Sequence, residues 1–183
     1  MKLADVDILI VPGFGGSGPD HWQSRWQAKF SSARRVEQAD WFGGERARWV
    51  DTLVAEAERS KRPTVIVAHS VGAIVVAHAA PRLPRAIAGA FLVAPSDWER
   101  PNLIPGVEHD FAPIPRERLP FPSVVVASRN DAYCDFERAA EFAAAWGSEL
   151  ADAGNSGHLN VESDHGPWPE GMVRFATFLA SLK

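Results

Sequence analysis

Four short runs, VDILIV (6–11), TVIVAH (64–69), AGAFLVA (88–94) and SVVVAS (123–128), put apolar residues at consecutive positions rather than alternate ones. A strand of that kind hides both faces, which happens inside a parallel sheet with helices packed on each side. The intervening segments agree, since 20–31, 45–59, 71–80, 135–146 and 170–182 have helical spacing. In 45–59, Trp49, Leu53 and Ala57 recur every four residues beside Val50 and Val54, while Glu45, Arg46, Glu56 and Glu58 lie elsewhere around the turn. RRVEQA (34–39) and SELADA (148–153) are weaker strand candidates that bring the count to about six. Right-handed crossovers then give an α/β three-layer sandwich with a mostly parallel sheet.

At 183 residues the chain is expected to form one domain over 1–183. The segment 95–122 breaks the pattern with seven prolines and no sustained period, and reads as an ordered lip. With 19 basic against 23 acidic residues and a net charge of −4, the chain has no general attraction for phosphate backbones or anionic membranes, so neither nucleic acid nor membrane is an expected partner. Cys134 is the only cysteine, which excludes an internal disulfide and a thiolate zinc site and suits a reducing compartment. The start, MKLADVDILIVPG, carries one Lys, then Asp5 and Asp7, and an apolar run of only four residues before Pro12, unlike a signal peptide or a membrane span. A cytoplasmic location is expected.

VAHSVGA (67–73) joins the second strand to the third helix without a turn signal. A nucleophile elbow needs a strand, a sharp turn carrying the nucleophile, an immediate helix, and small residues two before and two after. Ala68-His69-Ser70-Val71-Gly72 meets this pattern, with Ala in place of the usual first Gly. The bland alternative is that Ser70 only caps the helix. A hydroxyl nucleophile needs a base, and the base needs an orienting acid. Among six histidines, His158 follows the last strand and precedes the last helix, so its loop opens on the same sheet edge as Ser70, with His165 as fallback. His69 should leave its strand on the side away from Ser70, and His21, His78 and His109 sit in helices or loops. Asp131 follows the strand SVVVAS and gives the order Ser, Asp, His expected of α/β-hydrolases, with Asp97 as alternate.

VPGFGGSGPDHW contains Gly13-x-Gly15-x-x-Gly18, formally a dinucleotide fingerprint with Glu37 or Asp40 where a ribose-binding acid is sought. Pro12 and Pro19 and the shortage of chain for a substrate domain argue against that reading. The same loop suits an oxyanion hole, with the backbone N–H of Phe14 joining that of Val71.

Together, VPGFGGSGPDHWQSRW, VAHSVGA, SRNDAYCDFERA and GHLNVES resemble the small serine hydrolases, the family that includes retinoblastoma-binding protein nine and many bacterial members. The resemblance spans nearly the whole chain. It implies a minimal α/β-hydrolase fold without a large lid, a triad of Ser70, Asp131 and His158, and esterase or amidase activity. The Leu-x-Cys-x-Glu element associated with retinoblastoma binding is absent, so that partner is not implied. The expected function is cleavage of a small-molecule ester or amide through an acyl-enzyme, with no metal or organic cofactor. The alternatives are a catalytically silent interaction module on the hydrolase fold and, further off, a dinucleotide-binding protein. His21, Trp22, Trp98 and Trp168 are expected near the substrate, and Cys134 is expected to be a packed side chain.

Overall fold

The computed structural model describes residues 1–43 and 45–183. Six strands, β1 (Asp7–Val11), β2 (Ala33–Arg35), β3 (Thr64–His69), β4 (Ile87–Val93), β5 (Ser123–Ala127) and β6 (Glu149–Asp152), form one sheet in the order β2-β1-β3-β4-β5-β6. Every pairing is parallel. Five helices connect or follow them: α1 (Trp22–Lys29), α2 (Arg46–Glu58), α3 (Val71–Ala79), α4 (Phe136–Trp146) and α5 (Pro169–Ser181).

The consecutive apolar residues divide between two cores. Leu9, Val11, Ile66, Ala68, Ala90, Leu92 and Val125 meet α2, α3 and α4 on one face of the sheet. Their neighbours Ile8, Ile10, Val65, Val67, Phe91, Val93, Val124 and Val126 meet α1 and α5 on the other. This is the physical content of a strand without alternation, because each successive side chain has a different helical layer to enter. In α2, Trp49, Val50, Leu53, Val54 and Ala57 are the buried residues. Truncating Leu53, which is fully buried, to Ala would cost about 2–5 kcal/mol.

The edge strands are shorter than their sequence windows, β2 covering three residues and β6 four. β6 is largely exposed and ends at Asp152, which pairs with Arg129 at 2.6 Å. A short charged edge of this kind resists pairing with a second sheet. The proline-rich segment is ordered without helix or strand from Pro95 to Pro122. Trp98, Phe111, Ile114, Leu119 and Phe121 anchor it in the core beneath α2 and α3. Among the described residues no larger lid covers the carboxyl edge of the sheet, and no helix is long and apolar enough to cross a membrane.

Candidate active site

The corner between β3 and α3 forces Ser70 into φ 57° and ψ −129°, a conformation a serine side chain rarely adopts. Such a backbone costs on the order of 1–3 kcal/mol and persists only where the surroundings over-determine it. Here they do. The Ser70 N–H donates to Val93 O at 3.0 Å, and two glycines let neighbouring backbones close in. A Cβ on Gly72 would lie 2.5 Å from Val11 O and 2.7 Å from Pro12 O. A Cβ on Gly13 would lie 2.7 Å from Ser70 Cβ. Ala68, two residues before the serine, is fully buried and its methyl group is accommodated.

His158 Nε2 lies 2.9 Å from Ser70 Oγ, and its Nδ1 lies 2.9 Å from both carboxylate oxygens of Asp131. An ionised carboxylate only accepts, so Nδ1 carries the proton and Nε2 is the bare nitrogen that accepts from the Ser70 hydroxyl. All three side chains are buried. Asp131 is fixed in turn by the Tyr133 N–H, which donates to Oδ1 at 2.9 Å, and the Tyr133 ring lies 4.4 Å from the His158 ring. The two alternates are engaged elsewhere. Asp97 pairs with Arg138 at 3.3 Å, and His165 sits 3.3 Å from Ser163 Oγ with its ring edge toward Trp168.

The Val71 N–H begins α3 and has no carbonyl a turn behind it within the helix. The Phe14 N–H has no acceptor among the described residues. Gly13, next to Phe14, packs against Ser70, so both N–H groups belong to segments that meet at this corner. The loop carrying Phe14 is held from behind by Arg35, which donates to the carbonyl oxygens of Gly16 and, at 3.1 Å, Ser17. Of the acids a ribose would need, Glu37 lies 3.8 Å from Arg35 and Asp40 accepts from the Phe42 N–H at 2.8 Å.

A cavity of about 190 Å³ opens over Ser70, with Phe14, His21, His69, Ser96, Trp98 and His158 in its lining. Of the four residues expected near the substrate, His21 and Trp98 line this cavity. Trp22 and Trp168 do not. Trp22 is fully buried and its ring packs against Trp26 and Trp168 on the α1/α5 face, since the first turn of α1 points its apolar residues into that core. Trp168 joins the same cluster and lines a separate apolar groove with Trp26, Pro167 and Met172. Cys134 is buried, and that burial pushes its thiol up, away from the thiolate a nucleophile requires.

Several supporting residues left no mark on the sequence pattern. The Trp22 indole N–H donates to Leu159 O at 2.8 Å, and His69 Nε2 donates to His158 O at 2.9 Å, so two buried donors clamp the backbone of the histidine loop. Asn130 Oδ1 accepts from the Gly157 N–H at 2.7 Å, and Ser128 Oγ accepts from the Ser156 N–H at 2.9 Å. Gln23 Nε2 donates to Val11 O and Val67 O, tying the ends of β1 and β3 together. Ser96 Oγ accepts from the Trp98 indole N–H at 2.7 Å and lies 3.4 Å from Ser70 Oγ. Apart from the local Ser96–Trp98 bond, each contact joins distant segments, and only the HWQ triplet of the glycine loop hints at them, through polar residues placed at the buried start of a helix.

Burial also fixes the charge state of two neighbouring imidazoles. His69 is driven well below the ordinary imidazole value by desolvation first, then by His21 and His158. His21 is lowered to about 3 by desolvation, then by Arg35 and His158. Both are neutral at pH 7.

A family model for serine hydrolases matches residues 8–177. Among solved structures, a protein described as a YdeN-like hydrolase from Pectobacterium atrosepticum is 34% identical over 96% of this chain and 91% of its own, with a TM-score of 0.83. The ydeN product of B. subtilis is 18% identical over 96% and 99%, with a TM-score of 0.76. A protein described as a hydrolase of the α/β superfamily from Xanthomonas campestris is 20% identical over 97% and 99%, with a TM-score of 0.64. The last two show likeness of fold alone. No curated protein matches the chain. The matched segment contains the Ser70 corner, the Asp131 loop and the His158 loop, and on that match this chain belongs to the serine hydrolase family.

Proposed function

We propose that the protein hydrolyses an ester or amide of a small molecule through an acyl-enzyme on Ser70. His158 Nε2 takes the hydroxyl proton as Ser70 Oγ bonds to the carbonyl carbon, and the carbonyl π pair moves onto oxygen. The N–H groups of Phe14 and Val71 receive that oxyanion. When the pair returns, the bond to the leaving group breaks and His158 hands its proton to the departing oxygen or nitrogen. Water then repeats the sequence against the acyl-enzyme and restores the Ser70 hydroxyl. Asp131 holds Nδ1–H and supports the imidazolium at each stage.

The observation that carries this reading is the continuous 2.9 Å chain from Ser70 Oγ through His158 to Asp131, at the base of an accessible cavity. At about 190 Å³ the cavity suits a short acyl group with the remainder of the substrate outside. The test is a fluorophosphonate probe. Ser70 should be modified, with labelling lost in Ser70→Ala and strongly reduced in His158→Ala. A folded wild type that stays unlabelled would favour an interaction module on the same fold.

A further inference from the structure

The lining of the cavity over Ser70 is of two kinds. Phe14, Trp98, Leu103 and Ile104 make one of them and are continuous with the apolar core beneath α2 and α3. The Phe14 and Trp98 rings lie 6.3 Å apart. The other is polar and includes Ser17, His21, Asn160 and Glu162, the last two following His158 in the same loop. Among the lining residues Glu162 is the one carboxylate, and none is Lys or Arg. His21 and His69 add no positive charge there, being neutral. Arg35, half-buried behind the glycine loop, does not line the cavity and is occupied by the carbonyls of that loop and by Glu37 at 3.8 Å.

Glu162 is exposed and makes no hydrogen bond or ion pair within the described residues, so no internal partner accounts for its position. Its place is nevertheless fixed. It sits in the short turn Val161–Ser163, closed by reciprocal hydrogen bonds in which the Asn160 N–H donates to Ser163 Oγ at 3.0 Å and the Ser163 N–H donates to Asn160 Oδ1 at 3.1 Å. Direction follows from the chemistry. The leaving group must lie against His158 Nε2, which supplies its proton, and the oxyanion must face Phe14 and Val71. The leaving group is thereby set toward the His158 loop, which carries Glu162, and the acyl chain is left with the apolar lining.

We propose, on the basis of the hydrolase reading, that the site takes esters or amides that pair a short apolar acyl group with a cationic, ammonium-bearing leaving group, selected by Glu162. Substrates with a carboxylate or phosphate on that side are disfavoured by the same charge.

Propionylthiocholine and its uncharged carbon isostere, S-(3,3-dimethylbutyl) thiopropionate, test this by thiol release from the full chain. The ratio of their kcat/KM values in the wild type, divided by the same ratio in Glu162→Gln, cancels intrinsic reactivity. An exposed charge pair makes that quotient about three to five at low ionic strength. It should fall toward one in 0.5 M salt. Glu162→Lys should shift the ratio further the same way, to roughly tenfold below the wild type. Equal ratios in wild type and Glu162→Gln overturn the assignment. So does a protein that leaves the cationic thioester intact although its Ser70 is labelled by fluorophosphonate. Absence of labelling removes the hydrolase reading itself.

Discussion

Three buried imidazoles stand in a row at the carboxyl end of the sheet, His21 4.8 Å from His69 and His69 4.8 Å from His158, measured between ring centres. Their partners differ. His158 has the Asp131 carboxylate on Nδ1. His69 spends its Nε2–H on a backbone carbonyl, and His21 accepts from the Gln23 N–H through Nδ1. Without a carboxylate, burial leaves an imidazole neutral and makes it a strut, because no nearby negative charge offsets the loss of water around its cation. With one, the same ring at the same depth can carry a proton between a hydroxyl and a leaving group. On the proposed mechanism, that contrast gives chemistry to one end of the row and support to the other two members.

The largest effects should come from breaking the chemical end. Ser70→Ala is expected to lower kcat/KM for any ester the wild type cleaves by about 10⁵-fold, within the range for losing a nucleophile that acts as part of a unit. Asp131→Asn tests the carboxylate itself. It keeps the shape and removes the charge, so His158 loses its preferred tautomer and the imidazolium its support, and a fall of about 10⁴-fold is expected. Both are read from steady-state rates on an aryl ester, and a loss of less than tenfold for Asp131→Asn would dissolve the distinction drawn between His158 and its neighbours.

The supporting members should cost less. In His69→Phe the ring remains but His158 O loses its donor while staying buried, a penalty of about 2 kcal/mol. If half or more of that penalty reaches the histidine loop in the reacting state, the rate of Ser70 labelling falls roughly five- to thirtyfold. His69→Gln, which keeps an N–H able to reach the carbonyl, should recover part of the loss. A fall in His69→Phe as deep as that of Asp131→Asn would mean that His69 takes part in proton transfer.

The division between chemistry and support marks how far the sequence could be read. The sheet was legible because consecutive Val, Ile and Leu in 6–11, 64–69 and 123–128 admit few other arrangements, and the Ser70 corner because Gly72 and Ala68 flank it at the required spacing. Loop position was enough to bring Asp131 and His158 to that edge. The struts were invisible, since the Trp22 N–H meets a carbonyl 137 positions away and no local period reports such a contact. Trp22 and Trp168 were drawn toward the cavity by their loops, yet the apolar face between α1 and α5 claims them. The second strand window, 34–39, shrinks to Ala33–Arg35, while Gln38 in that window turns its side chain to donate to Trp49 O at 3.3 Å.

The gentlest probe of the comparison is pH. His21 takes its proton near 6.5 in the unfolded chain and only at about 3 in the fold, so between those values the unfolded state binds more protons. Stability contributed by the neutral ring is therefore complete above 6.5 and declines as the pH falls through this window. Between pH 6 and pH 5 the decline is about 1 kcal/mol from this residue, and the buried His69 acts in the same direction. His21→Asn retains a side chain that caps α1 and removes the titration. Urea denaturation at the two pH values should show a shallower loss in the variant than in the wild type, by about that amount. An identical slope would mean that His21 takes up its proton within the native state, and the neutral strut would then have to be His69 alone.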